Sequence, residues 1–469
     1  MFRNGRQSFE CRSRTGLPGD ESRFSIPSAS HNRIRLRNQT AFKSAKLDII
    51  RVAMGYFSSA ITKFFSDARG AWDDIWESFR DNFVSDPRCF HLPKGKFKSG
   101  IAIVTPNEIT DRHGTGVILA RAFEGFDEIL SIRTSNLHGE HSFGTESVRF
   151  FHQGLNRVES YAKLAHELRD NHFRYIICVP YHAGDLLTAI ILKDLFRAKL
   201  CVYIMDDNYL VNRQIPGDLM IEALEKSDLR LAISPEMRDA YEQRFNLKFW
   251  IRPPVVTSSR IRQKVVLPSL EVLGSQRGIL VGTLWSNQIL EQLAKAVSEA
   301  QIDVDWYGNS DASWLAFSEK QLAANGVKPC GFISETELVT KLEEYAYAII
   351  PSGTMDANDQ RLEISKYSLP TRLPFLLAAG NIPMLVLGHR STAAAAFVSR
   401  FDLGEVCGYD GSDLKKAIGR LCSKSRQEEI RKRSSALANH FSAKGVGRWI
   451  LDSMEAGKPV SLQMESLFA

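Results

Sequence analysis

With 469 residues, the chain is too long for one ordinary hydrophobic core, and two domains of about 150 to 200 residues are expected. Its 44% hydrophobic and 24% charged residues are ordinary for a globular protein in water. The net charge of +6 belongs to the N-terminus, because residues 1–46 hold ten arginines and lysines against three acidic residues and the remaining 423 residues sum to −1. The body of the chain is therefore not a basic surface for nucleic acid.

The seven cysteines are scattered, and no two have the CxxC spacing of a metal or redox motif. This pattern predicts reduced thiols and a cytoplasmic protein. No apolar run is long enough to span a membrane, and the first residues lack the apolar core of a signal peptide.

Residues 1–46 are polar, basic and without periodicity, which predicts a disordered arm. Residues 47–97 are predicted to form an amphipathic helical extension, since apolar residues recur every three to four positions in LDIIRVAMGYFSSAITKFF. Two interpretations are open. The helices either pack on the main body, or residues 1–65 attach the protein to the inner face of a membrane as a basic, amphipathic anchor.

From residue 98 onwards, short apolar runs alternate with helical segments, which predicts parallel, doubly wound sheets. The first domain is assigned to residues 98–256, followed by a polar linker at 257–276 and a second domain at 277–440. A C-terminal helix and tail, 441–469, are predicted to return to the first domain. The strands expected in the two domains are GIAIVTP, RYIICVP, KLCVYIMDD, LRLAISP and FWIRPPVV, then GILVGT, DVDWYG, VKPCGFI, AYAIIPS, IPMLVLG and LGEVCGYD.

The predicted fold class is therefore α/β, with two Rossmann-like domains that face a cleft and an N-terminal helical or disordered extension. In such sheets, ligands bind beyond the carboxyl ends of the strands. Polar residues at those ends are the candidates for a site.

In the first domain, the candidates follow three strands. Gly114 and Gly116 in HGTG leave backbone room for a ligand or make a tight turn, and His113 beside them is a base, a hydrogen-bond donor or a surface residue. Tyr181, His182 and Asp185 follow the second predicted strand. Asp206 and Asp207 follow the third, and because successive strand residues face opposite sides, one faces the cleft while the other caps the next turn.

In the second domain, Gly282 and Thr283 end a strand just before a helix, which suits a phosphate. Ser334 is expected to cap a helix in a capping box with Glu337. The stretch from Ser368 to Gly388 reads as a buried helix that ends at Gly380 and feeds a buried strand.

These elements resemble the glycosyltransferases of the two-Rossmann-domain (GT-B) type, a large family that uses nucleotide-sugar donors. The specific likeness is SLPTRLPFLLAAGNIP, residues 368–383, which is similar to the family element S-x-P-[ST]-K-x-x-E-Y-L-A-A-G-x-P. Two glutamates that are common in the family are replaced here by Tyr367 and Phe375. Glu363 lies close by in sequence.

The resemblance implies that Arg372 neutralises the donor diphosphate and that Ser368 and Thr371 donate hydroxyls to it. Gly114 and Gly116 would lie near the transferred sugar, and the catalytic candidates are His113, His182 and Asp206. No cofactor and no metal are implied. The other residues implied to bind the donor are Gly282, Thr283, Tyr307, Gly308, Phe332, Ile333 and Ser352.

The implied function is transfer of a hexose from a nucleoside-diphosphate sugar to a glycan or lipid-linked acceptor, in polysaccharide or glycoconjugate biosynthesis. Two alternatives share the fold. The first is a non-catalytic partner subunit, favoured by Tyr367 and Phe375, and the second is a sugar-nucleotide epimerase.

Overall fold

The computed structural model describes residues 92–135, 141–309, 315–357 and 359–469. The chain divides into two compact units, Met1–Asp86 and Pro87–Ala469. The predictions for the basic arm and for the amphipathic helices up to residue 91 lie outside the described residues. Within the described ranges, no helix has the length and apolar character needed to cross a membrane.

The first sheet has seven parallel strands in the order β3-β2-β1-β4-β5-β6-β7. They are β1 Gly100–Val104, β2 Ile129–Arg133, β3 Glu146–Arg149, β4 Phe173–Cys178, β5 Lys199–Ile204, β6 Leu229–Ala232 and β7 Trp250–Ile251. The helices of this half are α1 Gly114–Ala122, α2 Arg157–Glu167, α3 Ala183–Phe196, α4 Gly217–Lys226 and α5 Pro235–Phe245.

The second sheet has six parallel strands in the order β10-β9-β8-β11-β12-β13. They are β8 Gly278–Val281, β9 Val304–Tyr307, β10 Val327–Gly331, β11 Tyr347–Pro351, β12 Met384–Leu387 and β13 Gly404–Cys407. The helices from the linker to the end of this half are α6 Leu270–Ser275, α7 Asn287–Ala300, α8 Glu319–Ala324, α9 Glu335–Lys341, α10 Leu362–Tyr367, α11 Arg372–Phe375, α12 Ala393–Arg400, α13 Gly411–Leu421 and α14 Lys424–Leu437.

The central strands β1, β5 and β12 are buried almost throughout, because helices cover both faces of each sheet. This explains their continuous apolar sequences and confirms the prediction of two parallel α/β sheets. Two strands of the first sheet were not predicted. β2 reads Ile-Leu-Ser-Ile-Arg and the edge strand β3 reads Glu-Ser-Val-Arg, so polar residues interrupt the apolar pattern in both.

The helix predicted to end at Gly380 does end there, but in a different manner. α11 continues into a single π-helical turn, Leu376–Gly380. The left-handed residue that closes it is Asn381, with φ of 47°, and asparagine is the common alternative to glycine at this position.

The C-terminal helices α15, Val446–Ala456, and α16, Gln463–Leu467, pack on strands of the first sheet. The Glu455 carboxylate accepts hydrogen bonds from Arg174 Nε (2.9 Å) and the Tyr175 hydroxyl (2.8 Å). Glu465 accepts one from the backbone N–H of Ile251 (2.6 Å). The last residues of the chain therefore complete the surface of the first half.

Candidate functional site

The order of strands reverses once in each sheet, between β1 and β4 in the first and between β8 and β11 in the second. At such a point, the loops after neighbouring strands run in opposite directions and leave a crevice at the carboxyl edge of the sheet. The residues that follow these strands and their neighbours therefore lie where a ligand binds in such sheets.

Asp206 and Asp207 follow β5 and have separate environments. Asp207 is fully buried and accepts hydrogen bonds from the backbone N–H groups of Tyr209, Leu210 and Val211, at 3.1, 2.8 and 2.8 Å, and from the Tyr241 hydroxyl at 2.9 Å. Asp206 is only half-buried. Of the two arrangements that the sequence allowed, the structure has Asp207 in the turn and Asp206 facing the cleft.

The Asp206 carboxylate accepts two hydroxyl hydrogen bonds from opposite halves of the molecule. One comes from Tyr181, after β4, at 2.5 Å, and the other from Ser368, after α10 in the second half, at 2.6 Å. Tyr181 OH also lies 2.5 Å from Thr115 Oγ1, in the first turn of α1. Since the tyrosine proton is given to the carboxylate, Thr115 is the donor in that pair.

Two further contacts join the same parts of the halves. The Ser234 hydroxyl donates to the carbonyl of Tyr367 at 2.6 Å. A Cβ on Gly114 would lie 3.2 Å from Cγ2 of Thr371, so the start of α1 packs closely against this threonine. The segment from Tyr367 to Thr371 is thus seated on the carboxyl edge of the first sheet.

Arg372, the next residue, is a buried cation. Its side chain is 8% exposed, its Nη1 donates to the carbonyl of Val281 at 2.9 Å and lies 3.5 Å from that of Thr283, and its guanidinium is stacked over Trp285 at 5.4 Å. Nε and Nη2 are buried and have no hydrogen-bond partner among the described residues. Burial lowers the pKa of Arg372 to about 10. The indole Nε1 of Trp285 is also buried and has no hydrogen-bond partner among the residues that the structure describes.

The glycines around Arg372 are required by close backbone packing. Gly282 has a φ of 93°, a conformation that favours glycine, and its carbonyl accepts a hydrogen bond from Trp306 Nε1 at 3.0 Å. A Cβ on Gly308 would lie 2.2 Å from that same carbonyl oxygen. Tyr307 and Gly308 therefore pack against the backbone of Gly282, whose N–H donates to the Tyr307 carbonyl at 2.8 Å.

The remaining residues implied to bind the donor have different environments. Phe332 is 71% exposed at the end of β10, whereas Ile333 packs partly against the core. Ser352 is buried, and the Tyr409 hydroxyl accepts from its N–H at 3.1 Å and donates to its carbonyl at 2.7 Å. Ser334 forms the predicted capping box with Glu337, which confirms that expectation.

The histidine candidates occupy helix starts in the first half. His113 precedes α1, with Nε2 3.7 Å from the carboxylate of Glu108. Glu108 is buried and also accepts the backbone N–H of His141 at 2.5 Å. His182 precedes α3, where buried Asp185 accepts its backbone N–H at 2.7 Å.

Gly116 serves packing in this structure. A Cβ there would lie 2.3 Å from the carbonyl oxygen of Glu108 and 2.7 Å from the backbone nitrogen of Thr110. The glycine therefore allows α1 to pack tightly on the preceding loop, and it is buried instead of lining the cleft.

The two positions without the expected glutamates are both buried. Phe375 is 4% exposed and belongs to the main apolar core, which runs through both halves. Tyr367 is buried beside the first half, with Lys366 over its ring at 5.0 Å. Glu363 is buried and accepts a hydrogen bond from Arg361 Nε at 2.8 Å.

Within the described ranges, no group of three or more histidine, cysteine or acidic side chains is arranged to hold a metal ion. Asp305, one of the two acids near the start of β9, is buried and pairs with Arg277 Nη2 (2.6 Å) and the Tyr345 hydroxyl.

No protein-family model matches the chain, and no curated protein matches it in sequence. Solved structures do match in three dimensions. An α,α-trehalose-phosphate synthase (UDP-forming) from Burkholderia xenovorans has a TM-score of 0.55 at 10% identity, over 76% of this chain and 100% of that one. The chain has the GT-B fold. A trehalose-6-phosphate synthase, OtsA, matches at 0.54 and 10% identity over 76% and 99% of the two chains.

A third structure with the same arrangement comes from a differently named protein. The N-terminal domain of trehalose-6-phosphate phosphatase from Candida albicans matches at a TM-score of 0.53 and 8% identity, over 79% of this chain and 100% of that domain. At these identities the likeness concerns the GT-B fold alone. A shared fold does not specify a function, which depends on the side chains at the site.

Thr115 and Tyr409 were not among the residues expected from the sequence, whereas Tyr181 was expected at the end of a strand without an assigned role. Thr115 lies between the two glycines of HGTG. Tyr409 follows β13 and is 57 residues from its partner Ser352, so no local sequence pattern predicts their contact.

Proposed function

We propose that this protein is a glycosyltransferase that moves a hexose from a nucleoside-diphosphate sugar to a glycan or lipid-linked acceptor. The observation that carries the proposal is Arg372, whose guanidinium is buried at the strand-order reversal of the second sheet with two nitrogens unpartnered among the described residues. A buried cation without a carboxylate is costly, and an anionic ligand offsets that cost.

A diphosphate suits this environment. In the transfer, the bond between the anomeric carbon and the diphosphate oxygen breaks, the acceptor oxygen bonds to that carbon, and the acceptor hydroxyl loses its proton. The departing nucleoside diphosphate gains negative charge, which a guanidinium stabilises through its planar fork of N–H groups. The backbone of Gly282 and Thr283 lies beside the Arg372 guanidinium, where it can approach the diphosphate.

On the first half, Asp206 is the proposed acceptor of the proton. It is half-buried, faces the cleft and keeps unused lone pairs on both oxygens after accepting its two hydroxyl bonds. His113 and His182 remain candidates for contacts to the sugar or acceptor. Exposed Phe332 offers a ring face to the nucleotide base.

Titration calorimetry with UDP and with GDP tests the donor site. We expect micromolar to millimolar binding of one of them in the absence of any metal, and UDP is the first choice because a similar structure is that of a UDP-forming enzyme. Absence of binding by either nucleotide would contradict the proposal. Mass spectrometry of reactions with a panel of nucleotide sugars then identifies the donor sugar, and activity that survives EDTA supports metal independence.

A non-catalytic role has one specific observation in its favour, because Tyr367 and Phe375 are buried where carboxylates were expected. A protein of this kind would bind a nucleotide or a partner transferase without turning over any sugar donor. Nucleotide binding combined with no turnover across the panel, and co-purification of a second transferase, would favour this reading.

Membrane attachment through residues 1–65 is a separate proposal for a peripheral, cytoplasmic enzyme of polysaccharide or glycoconjugate synthesis. It rests on the ten basic residues of the arm and the amphipathic pattern that follows. Co-sedimentation with anionic vesicles should be lost on deletion of residues 1–65 and weakened by salt. Equal co-sedimentation of the deleted protein would contradict it.

A further inference from the structure

We propose that Tyr181 and Ser368 are positioning residues that together hold the Asp206 carboxylate in one orientation, and that Ser368 does so from the opposite wall of the cleft. This inference rests on the proposed function, in which Asp206 accepts the proton of the acceptor hydroxyl. Neither residue needs to touch the substrate for this role.

The backbone under Asp206 is held firmly, whereas its side chain depends on few contacts. The adjacent Asp207 is fixed by three backbone N–H groups and the Tyr241 hydroxyl. The carboxylate of Asp206 itself has a broad torsional preference, so its plane is set by whatever binds its oxygens. Those partners are the hydroxyl of Tyr181 on Oδ2 and that of Ser368 on Oδ1.

The tyrosine is itself held in place. Thr115 donates to its oxygen, so a hydrogen-bonded chain runs from α1 through Tyr181 to Asp206. Burial and the neighbouring carboxylate raise the pKa of Tyr181 well above its ordinary value, which keeps the phenol protonated and able to donate. The direction of each bond in the chain is thereby determined.

Ser368 brings the second half into this arrangement. It begins the short segment that ends at Arg372, so the residue that orients the carboxylate and the residue proposed to bind the diphosphate are four positions apart on one strip of backbone. Its only proton is given to Asp206, which leaves its oxygen as an acceptor and does not suit the phosphate-donor role implied by the resemblance. A fixed carboxylate therefore requires the two halves to be together.

Tyr181→Phe and Ser368→Ala each remove one hydroxyl and keep most of the packing. We expect each to lower kcat by about 10- to 100-fold, since misplacing a reacting group has effects of this size. The nucleotide Kd measured by calorimetry should stay within about twofold of wild type. Ser368→Thr retains a hydroxyl and should recover most of the kcat lost in Ser368→Ala.

The double variant gives the sharpest readout. If both hydroxyls serve to fix one carboxylate, removing the first already frees it, so the double variant should be about as slow as the slower single variant. Tyr345→Phe is the matched control, because it also removes a hydroxyl from a buried carboxylate, that of Asp305, away from the first half. It should lower thermal stability and leave kcat unchanged.

Turnover of the full chain is measured as release of the nucleoside diphosphate. The sugar passes either to an acceptor or to water. Unchanged kcat in Tyr181→Phe and Ser368→Ala, or losses that multiply in the double variant, would overturn the inference while wild-type nucleotide binding and turnover still support the proposed function. A wild-type protein without nucleotide binding or turnover would instead contradict the proposed function, and this inference with it.

Discussion

Three carboxylates of the first half and the arginine of the second half differ in how completely they are hydrogen-bonded. Asp185, Asp206 and Asp207 each accept hydrogen bonds from nearby N–H or O–H groups. Arg372 is also buried, yet two of its nitrogens have no partner among the described residues. These three carboxylates are thus hydrogen-bonded within the protein, whereas the unfilled hydrogen-bonding capacity beside Arg372 is where we propose that an anionic ligand binds.

The largest effect is a loss of stability and is expected for Asp207, whose hydrogen bonds are complete. Asp207→Ala leaves three backbone N–H groups and the Tyr241 hydroxyl without their acceptor in a fully buried site. We expect the free energy of unfolding to fall by about 4 kcal/mol, because each buried unsatisfied donor costs about 1–3 kcal/mol and part of the loss is relieved by relaxation. Urea unfolding followed by circular dichroism measures it.

The adjacent residue serves as the control. Asp206→Ala removes a half-buried carboxylate with two hydroxyl partners, so its cost in stability should be less than half that of Asp207→Ala, while turnover should be lost. Equal destabilisation by the two variants would remove the distinction between a turn aspartate and a cleft aspartate.

The next effect is on ligand binding. Arg372→Ala should weaken nucleoside-diphosphate binding by about 1.5 to 3 kcal/mol, the range of hydrogen bonds to charged groups, as measured by calorimetry. Arg431 is a matched control, because it is also buried with its pKa lowered to about 10, but its Nε donates to Gln427 at 2.8 Å.

For Arg431→Ala we expect lower thermal stability and unchanged nucleotide affinity. Arg372→Ala should differ by losing nucleotide affinity. If both arginine variants lost stability equally and neither lost affinity, the unpartnered nitrogens of Arg372 would have no functional meaning.

The smallest effect concerns the contact between the halves. In Gly114→Ala the new Cβ would lie 3.2 Å from Cγ2 of Thr371, and the required shift of a few tenths of an ångström should cost about 1 kcal/mol of unfolding free energy, the low end for overpacking. Adding Thr371→Ser removes that methyl group and should restore stability. Gly116→Ala meets backbone at 2.3 Å, so no side-chain change should rescue it.

Much of this architecture follows from local sequence. Buried strands such as AYAIIPS and IPMLVLG are apolar on both faces, so their pattern alone indicates a parallel sheet, whereas β2 and β3 carry polar residues and escaped prediction. Alternation along β5 predicted that only one of Asp206 and Asp207 faces the cleft. It could not tell which, because that depends on how the helices cover the sheet.

The site itself depends on contacts that sequence order hides. Ser368 and Asp206 are 162 positions apart, and nothing near either residue identifies the other as its partner. The resemblance in residues 368–383 drew attention to Arg372. That its guanidinium would be buried with unpartnered nitrogens emerges only when Val281, Thr283 and Trp285 are placed around it.

The packing of the C-terminal helices on the first half has a consequence for synthesis. Glu455 and Glu465 complete hydrogen bonds of Arg174, Tyr175 and Ile251, which are translated about 200 to 280 residues earlier. While the ribosome is still making the second half, the first half exposes the surface that these helices later cover. The first half is therefore completed only after residues 446–467 have been made, and deletion of residues 445–469 should expose an apolar surface on the domain that was made first.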